Sequence, residues 1–336
     1  MEPDSAASKE KFMPVPLAVM QAGTLAPVDL YIRVRPGRFT LYKKAQARLY
    51  EKTRLRLLDH GVKSLYLCES DREAYHHYVE ENIAAIVRDD LLPPQQACEI
   101  VYDTSSRVMV DVFDDPRSGR NLQRVHAVVE ATVLSILKRP DSLWHMTALA
   151  SHDYYTYTHC VHVGMFLVAG GREVLGISDS DQLRRIGLGG MLHDIGKSQI
   201  PDELLTKPGR LTPEEFELIK EHPALGEKIA RQIKRLPATA ARVIRSHHEH
   251  LDGRGYPDAL SGEQLSPIVR LAGIVDVYDA LTTDRPYAAA RSPYDALELM
   301  MNEMESQFDA RMLRSFVRFL GPKDQRQEDS VGAGRD

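Results

Sequence analysis

The sequence predicts a mainly α protein in which a small α+β domain precedes an all-helical one. Three observations carry that expectation. Strand-like runs at residues 29–34 and 39–42 flank Pro36-Gly37-Arg38, a hairpin signal. From Pro93-Pro94 onward strand signals stop, and apolar residues such as Val108, Val112, Val125, Val129, Val133 and Ile136 recur in helical patterns. At 336 residues the chain can bury a substantial core and hold two domains.

The elements follow in order. Residues 1–13 are polar, carry both charge signs and lack the apolar segment of a signal peptide, so they read as a disordered leader. The domain of residues 14–92 continues past the hairpin with a helix from about residue 44 to His60, stopped by Gly61, and a strand at 63–67. Ser70-Asp71-Arg72-Glu73 offers a second helix start, continued by Tyr75, Val79, Ile83 and Ile86. No metal, phosphate or phosphoacceptor pattern is visible in this domain, and a regulatory role is expected from its placement alone. Residues 93–145 read as a helical connector, broken near Asp114-Asp115-Pro116 and Arg139-Pro140. Helical segments at 156–175, 182–195, 213–220, 223–235, 237–250, 268–283 and 293–305 build the final domain, residues 146–320, and residues 321–336 read as a flexible tail.

Composition excludes several functions. The formal charge of −5 gives no overall basic field for a nucleic-acid backbone. Cys68, Cys98 and Cys160 are isolated and read as reduced, semi-buried side chains. No apolar run approaches the roughly 20 residues that span a bilayer. The cytoplasm is the expected location.

Chemistry concentrates in separated His/Asp clusters. His193-Asp194-Ile195-Gly196-Lys197 has His159 before it and His222 after it, and His247-His248-Glu249-His250 leads into Gly253-Arg254-Gly255-Tyr256-Pro257, with Asp276 downstream. Imidazoles and carboxylates without thiols suit a hydrolytic metal centre better than a structural zinc site. A two-metal site needs neutral imidazoles, carboxylates that offset charge and one shared group, with ions roughly 3.5–4 Å apart. Successive helical residues diverge by about 100 degrees, so His193 with Asp194, and His247 with His248, are expected to flank ions lying beside their helices. Asp276 falls in a mostly apolar helix, where a buried carboxylate needs a partner. Any one of these histidines alone reads as a packed or exposed side chain. Together they read as a metal centre.

On these residues, with Lys207-Pro208-Gly209-Arg210-Leu211-Thr212 and the segment from Asp276 to Tyr287, residues 151–320 resemble the HD-GYP family of HD-domain metal-dependent phosphohydrolases. The resemblance implies an HD-type helical bundle and hydrolysis of cyclic di-GMP to linear pGpG, and further to GMP, in second-messenger signalling. It also implies two divalent ions, iron before manganese. His159, His193, Asp194 and Asp276 would hold one, and Asp194 would bridge to a second held by His222, His247 and His248. Members with a third ion use a Glu where this chain has Tyr155, so two ions are expected, against a third held without that ligand.

By the same resemblance His193 and Asp194 are catalytic through the metals, and Lys197 and Arg285 are phosphate-contacting cations. A solvated lysine, and an Arg285–Asp284 ion pair, are the competing readings. Tyr256 either lines a base pocket or packs its loop. Glu249 and His250 either orient neighbours or face solvent, and His162 either packs or supports His159. Ala288 stands where members carry Lys or Arg, which opens cyclic GMP-AMP as a substrate. A low-turnover cyclic-dinucleotide sensor or scaffold engaging a diguanylate cyclase, and a hydrolase of another nucleotide, are the alternatives. Expected partners are a cyclic dinucleotide, diguanylate cyclase domains and a second copy of the chain, with neither nucleic-acid backbone nor membrane.

Overall fold

The computed structural model describes residues 10–138, 156–233, 236–284 and 289–321. The leader and tail expectations for residues 1–9 and 322–336 lie outside these, as do Tyr155, Arg285, Ala288 and the break at Arg139-Pro140. The chain divides into two compact units, residues 1–97 and 98–336.

The first unit is built on an antiparallel sheet of four strands, β1 (Phe12–Pro16), β2 (Leu30–Arg35), β3 (Arg38–Lys43) and β4 (Ser64–Cys68), in the order β1-β4-β2-β3. β2 and β3 form the expected hairpin, and Leu65 and Leu67 of β4 point into the core. β1 corrects the expected leader. Pro14 and Pro16 mask its strand signal, yet they are tolerated because β1 lies on the sheet edge, where a missing N–H need not break a ladder. α1 (Glu51–Asp59) starts later than expected. The preceding residues are tied down as a loop by Ala45 N–H to Asp29 Oδ1 (2.6 Å) and Gln46 N–H to the Ala26 carbonyl (2.9 Å), with Gln46 at a φ of 63°. α2 (Arg72–Arg88) buries Tyr75, Val79, Ile83 and Ile86, the positions its periodicity marks.

The division between units falls inside α3 (Pro94–Asp114), where 92/93 was the expected boundary. α4 (Gly119–Lys138) is more than a spacer: Val125, Val128, Val129 and Ile136 are buried, and the helix packs against α5 (Thr156–Glu173) and α6 (Ser180–Leu192). A 3-10 turn (Ile195–Gln199) and the short α7 (Asp202–Leu205) and α8 (Pro213–Ile219) lead to α9 (His222–Ala230) and α10 (Ala238–Ser246). α11 (Pro267–Thr282), α12 (Pro293–Asn302) and α13 (Ala310–Leu320) complete the unit. α13, capped by the Asp309 side chain, was not singled out from the sequence.

α5 is buried along nearly its whole length, between α6 and α11. A side chain at Gly190 of α6 would put its Cβ 2.8 Å from the Gly164 Cα of α5, so only glycine permits this approach of the two backbones. That approach brings His159 on α5 alongside the residues that follow α6.

Candidate metal centre

Both paired motifs lie just past a helix end, a correction to their expected position within helices. α6 stops at Leu192, and His193 and Asp194 occupy the turn before the 3-10 segment; α10 stops at Ser246, and His247 and His248 follow. Where the chain changes direction, adjacent side chains can both turn inward. His159, His193, Asp194, His222 and His247 are no more than 2% exposed, and Asp276 is buried with them. Ligand atoms of His159, His193 and Asp194 lie within 4.8 Å of one another, as do those of Asp194, His222, His247 and His248. Asp194 belongs to both groups. Asp276 reaches both as well, with Oδ1 2.9 Å from His159 Nε2 and 3.6 Å from His193 Nε2, and Oδ2 3.5 Å from His248 Nδ1.

The hydrogen bonds on the far side of each ring show what these atoms are prepared to hold. His222 Nδ1 donates to the Ile219 carbonyl (2.7 Å), and His247 Nδ1 is shared between the Val243 and Ile244 carbonyls (3.1 Å each). A neutral ring that spends its one N–H there presents a lone pair at Nε2. These two Nε2 atoms face each other at 3.1 Å. His159 repeats the pattern, with Nδ1 donating to Asp279 Oδ2 (2.7 Å) and Nε2 turned to Asp276 Oδ1. Opposed lone pairs at such distances repel unless a cation lies between them. Asp194 Oδ1 is likewise buried without a hydrogen bond, although His222 Nε2 is 3.1 Å away. The donor set fits divalent ions.

Charge is arranged to match. Burial pushes the Asp194 carboxyl up, but Lys197, whose Nζ is 2.6 Å from Oδ2, and His193 hold it well below its ordinary range. Asp276 is also held low against burial by His159 and His193. Burial would lower His193, yet Asp194 overrides it and keeps the ring well above the ordinary histidine value. Burial drives His247 well down and His248 to about 3, so both offer lone pairs at neutral pH. The proton that His193 keeps is one that a cation bound at Nε2 would displace.

Two further carboxylates organise the site. Asp279, on α11, orients His159 from behind; its spacing of three from Asp276, on one helix face, was the available sequence signal. Glu249 anchors the Gly-Tyr-Pro loop: it is buried and accepts the backbone N–H groups of Asp258 (2.6 Å) and Leu260 (2.8 Å). Thus held, Tyr256 stacks on His248 with ring centroids 4.7 Å apart and donates its N–H to the His248 carbonyl. The 3-10 turn must press against the start of α9, since a Cβ at Gly196 would collide with the His222 carbonyl oxygen and the Gly226 nitrogen. The structure therefore gathers His159, His193, Asp194, His222, His247, His248 and Asp276, with Lys197 and Tyr256 beside them. Arg285 lies outside the described residues.

Residues 169–312 match the HD domain family. This stretch of the helical unit is an HD domain. The match begins after His159, which α5 brings to the site. A cyclic di-GMP phosphodiesterase of Pseudomonas aeruginosa is 38% identical over 224 residues, covering 66% of this chain and 53% of that protein. The 3'3'-cGAMP-specific phosphodiesterase 3 of Vibrio cholerae is 37% identical over 168 residues, 49% of this chain and 35% of that protein. The chain thus spans about half or less of the length of these curated relatives. The solved structure of Bd1817, an HDG"Y"P protein from Bdellovibrio bacteriovorus, shares the fold of this chain. Its TM-score is 0.65 at 20% identity, over 92% of this chain and 99% of that one.

Proposed function

We propose that this chain belongs to the HD-GYP family and is a metal-dependent phosphodiesterase that hydrolyses cyclic di-GMP to linear pGpG and further to GMP in second-messenger signalling. The observation that carries the reading is the pair of ligand groups sharing Asp194, with imidazole lone pairs turned on one another. In this reading two divalent ions, iron before manganese, are held by His159, His193, Asp194 and Asp276 and by Asp194, His222, His247 and His248. Ions bound there would supply Lewis acidity and would lower the pKa of a water enough for it to serve as nucleophile near neutral pH.

The remaining steps belong to the chain's own groups. Asp194, kept low by Lys197 and His193, is a poor proton acceptor at neutral pH and serves to position rather than as general base. The Lys197 ammonium, with 15% of its side chain exposed, offsets phosphate charge at the mouth of the site. Arg285 is proposed as the second phosphate-binding cation. The Tyr256 ring, fixed against His248, offers a flat face to a base of the substrate. Glu249 holds that loop in place. A regulatory first unit, docking of a diguanylate cyclase domain, a homodimer and a cytoplasmic location complete the proposal. Among the described residues no helix is long and apolar enough to cross a membrane.

Cyclic GMP-AMP is the second substrate reading, supported by Ala288 and by the name of the Vibrio cholerae relative. An anaerobic assay of iron- or manganese-loaded protein with both dinucleotides, products resolved by mass, tests the proposal. Linear product is expected from wild type and none from the His193→Ala/Asp194→Ala variant. Turnover by the metal-treated double variant overturns it, and faster turnover of cyclic GMP-AMP selects the second substrate.

A further inference from the structure

We propose that Tyr102 and His162 are positioning residues for the metal centre, acting through Asp279 on His159. The proposal rests on the metal-centre reading above. Tyr102 lies on α3, and its hydroxyl is 3.1 Å from His162 Nε2, with the two rings stacked at a centroid separation of 5.5 Å. On its other side His162 places Nδ1 3.0 Å from Asp279 Oδ1. Asp279 Oδ2 in turn accepts the His159 Nδ1–H at 2.7 Å. His162 and Asp279 are 2% and 0% exposed, so water does not replace the contact between them.

The chain has a direction. A carboxylate oxygen against Nδ1 favours the His162 tautomer with hydrogen on Nδ1, which leaves Nε2 as an acceptor. The Tyr102 hydroxyl is the donor that satisfies it. Remove that donor and the opposite tautomer, with Nε2–H, gains weight, turning an Nδ1 lone pair onto Asp279 Oδ1. The 3.0 Å contact is a close approach without hydrogen-bond alignment, leaving Asp279 Oδ1 unbonded, so it depends on how the His162 ring is held. A carboxylate repelled there shifts its grip on His159 Nδ1, and with it the aim of His159 Nε2 at the ion. Outer partners of this kind change metal affinity by about 10–100-fold when lost. Through Tyr102, α3 becomes part of the metal centre, so a displacement of α3 is felt at one ion and not at the other.

The test is a titration of chelator-treated full-length protein with cobalt(II) under anaerobic conditions, comparing wild type, Tyr102→Phe, Asp279→Asn and the double variant. Tyr102→Phe keeps the stacked ring and removes only the hydroxyl. It is expected to weaken one of two ions about tenfold, leave the other unchanged and alter the visible absorption of the weakened one. In the Asp279→Asn background the same change should add nothing, because the connection is already cut. An unchanged affinity and spectrum for Tyr102→Phe overturns the proposal. So does an equal tenfold loss in both backgrounds, which would mark a structural effect. Wild-type protein that takes up no ion overturns the metal-centre reading and this proposal with it, a result distinct from normal loading of all four proteins.

Discussion

Glu249 ties the Gly-Tyr-Pro loop to the double histidine, and Glu249→Gln removes its charge while keeping its shape. The carboxylate accepts two backbone N–H groups, from Asp258 at 2.6 Å and Leu260 at 2.8 Å, in a buried position. Hydrogen bonds to a charged group contribute about 1.5–3 kcal/mol each, against about 1 kcal/mol for a neutral one. Glutamine retains one acceptor oxygen, but its NH2 confronts the other backbone N–H, and a buried donor left without a partner costs about 1–3 kcal/mol. The closed loop therefore loses about 2–4 kcal/mol, which raises its open population roughly 30- to 1,000-fold. Amide hydrogen exchange at Asp258 and Leu260 reads that population directly, with urea unfolding as the control for global stability. Exchange within threefold of wild type at both amides, in a protein of unchanged global stability, would refute the reasoning.

Three further outcomes follow from the same geometry. Gly196→Ala should prevent the 3-10 turn from seating against α9, separating Asp194 from His222 and abolishing binding of the shared ion pair, as measured by metal content after dialysis. Retention of both ions would contradict it. Lys197→Met should leave metal content unchanged and lower kcat/KM for the dinucleotide by about 100-fold, the scale of losing one charge-stabilising donor; unchanged kcat/KM in steady-state kinetics would reject that role. Metal-free protein should be most stable near pH 6.5, the ordinary histidine value. Below it the unfolded chain takes up protons that His247 and His248 refuse when folded, His248 down to about 3, so stability falls with pH by up to about 1.4 kcal/mol per unit for each ring. The part of the His248 side chain left exposed, 24%, softens that limit. His193 has the opposite sign: its contribution is complete below 6.5 and is lost as pH rises through its raised folded value. Urea unfolding with chelator at about pH 5, 6.5 and 8.5 checks the profile, and a stability rising steadily across all three would contradict it.

Legibility in the sequence followed the range of the interaction. The helices were readable because burial of one face imposes a 3.6-residue period on nearby positions, as along α2 of the first unit and α4 of the second. β1 was not, since its prolines erase the local strand signal and only its place at the sheet edge makes them harmless. The His and Asp clusters were readable too, and the family resemblance proposed two groups of residues sharing Asp194; the structure brings six of the seven residues together in two such groups, with Asp276 beside both.

The sequence by itself determined which atoms could meet a metal and which family's chemistry they suit. Only the tertiary structure decided which atoms face each other and what stands behind them. His159 and Asp279 are 120 residues apart in sequence, His162 and Tyr102 are 60, and no periodicity encodes those meetings. The closeness of α5 to α11 on one side and to α3 on the other decides them, and with them the tautomer of each ring. Glu249 lay in plain view beside the double histidine, yet its role became visible only when the loop from Gly253 to Leu260 folded back to place two N–H groups on its carboxylate. A side chain's chemistry is local; its protonation state and partners are set by whatever the fold packs against it.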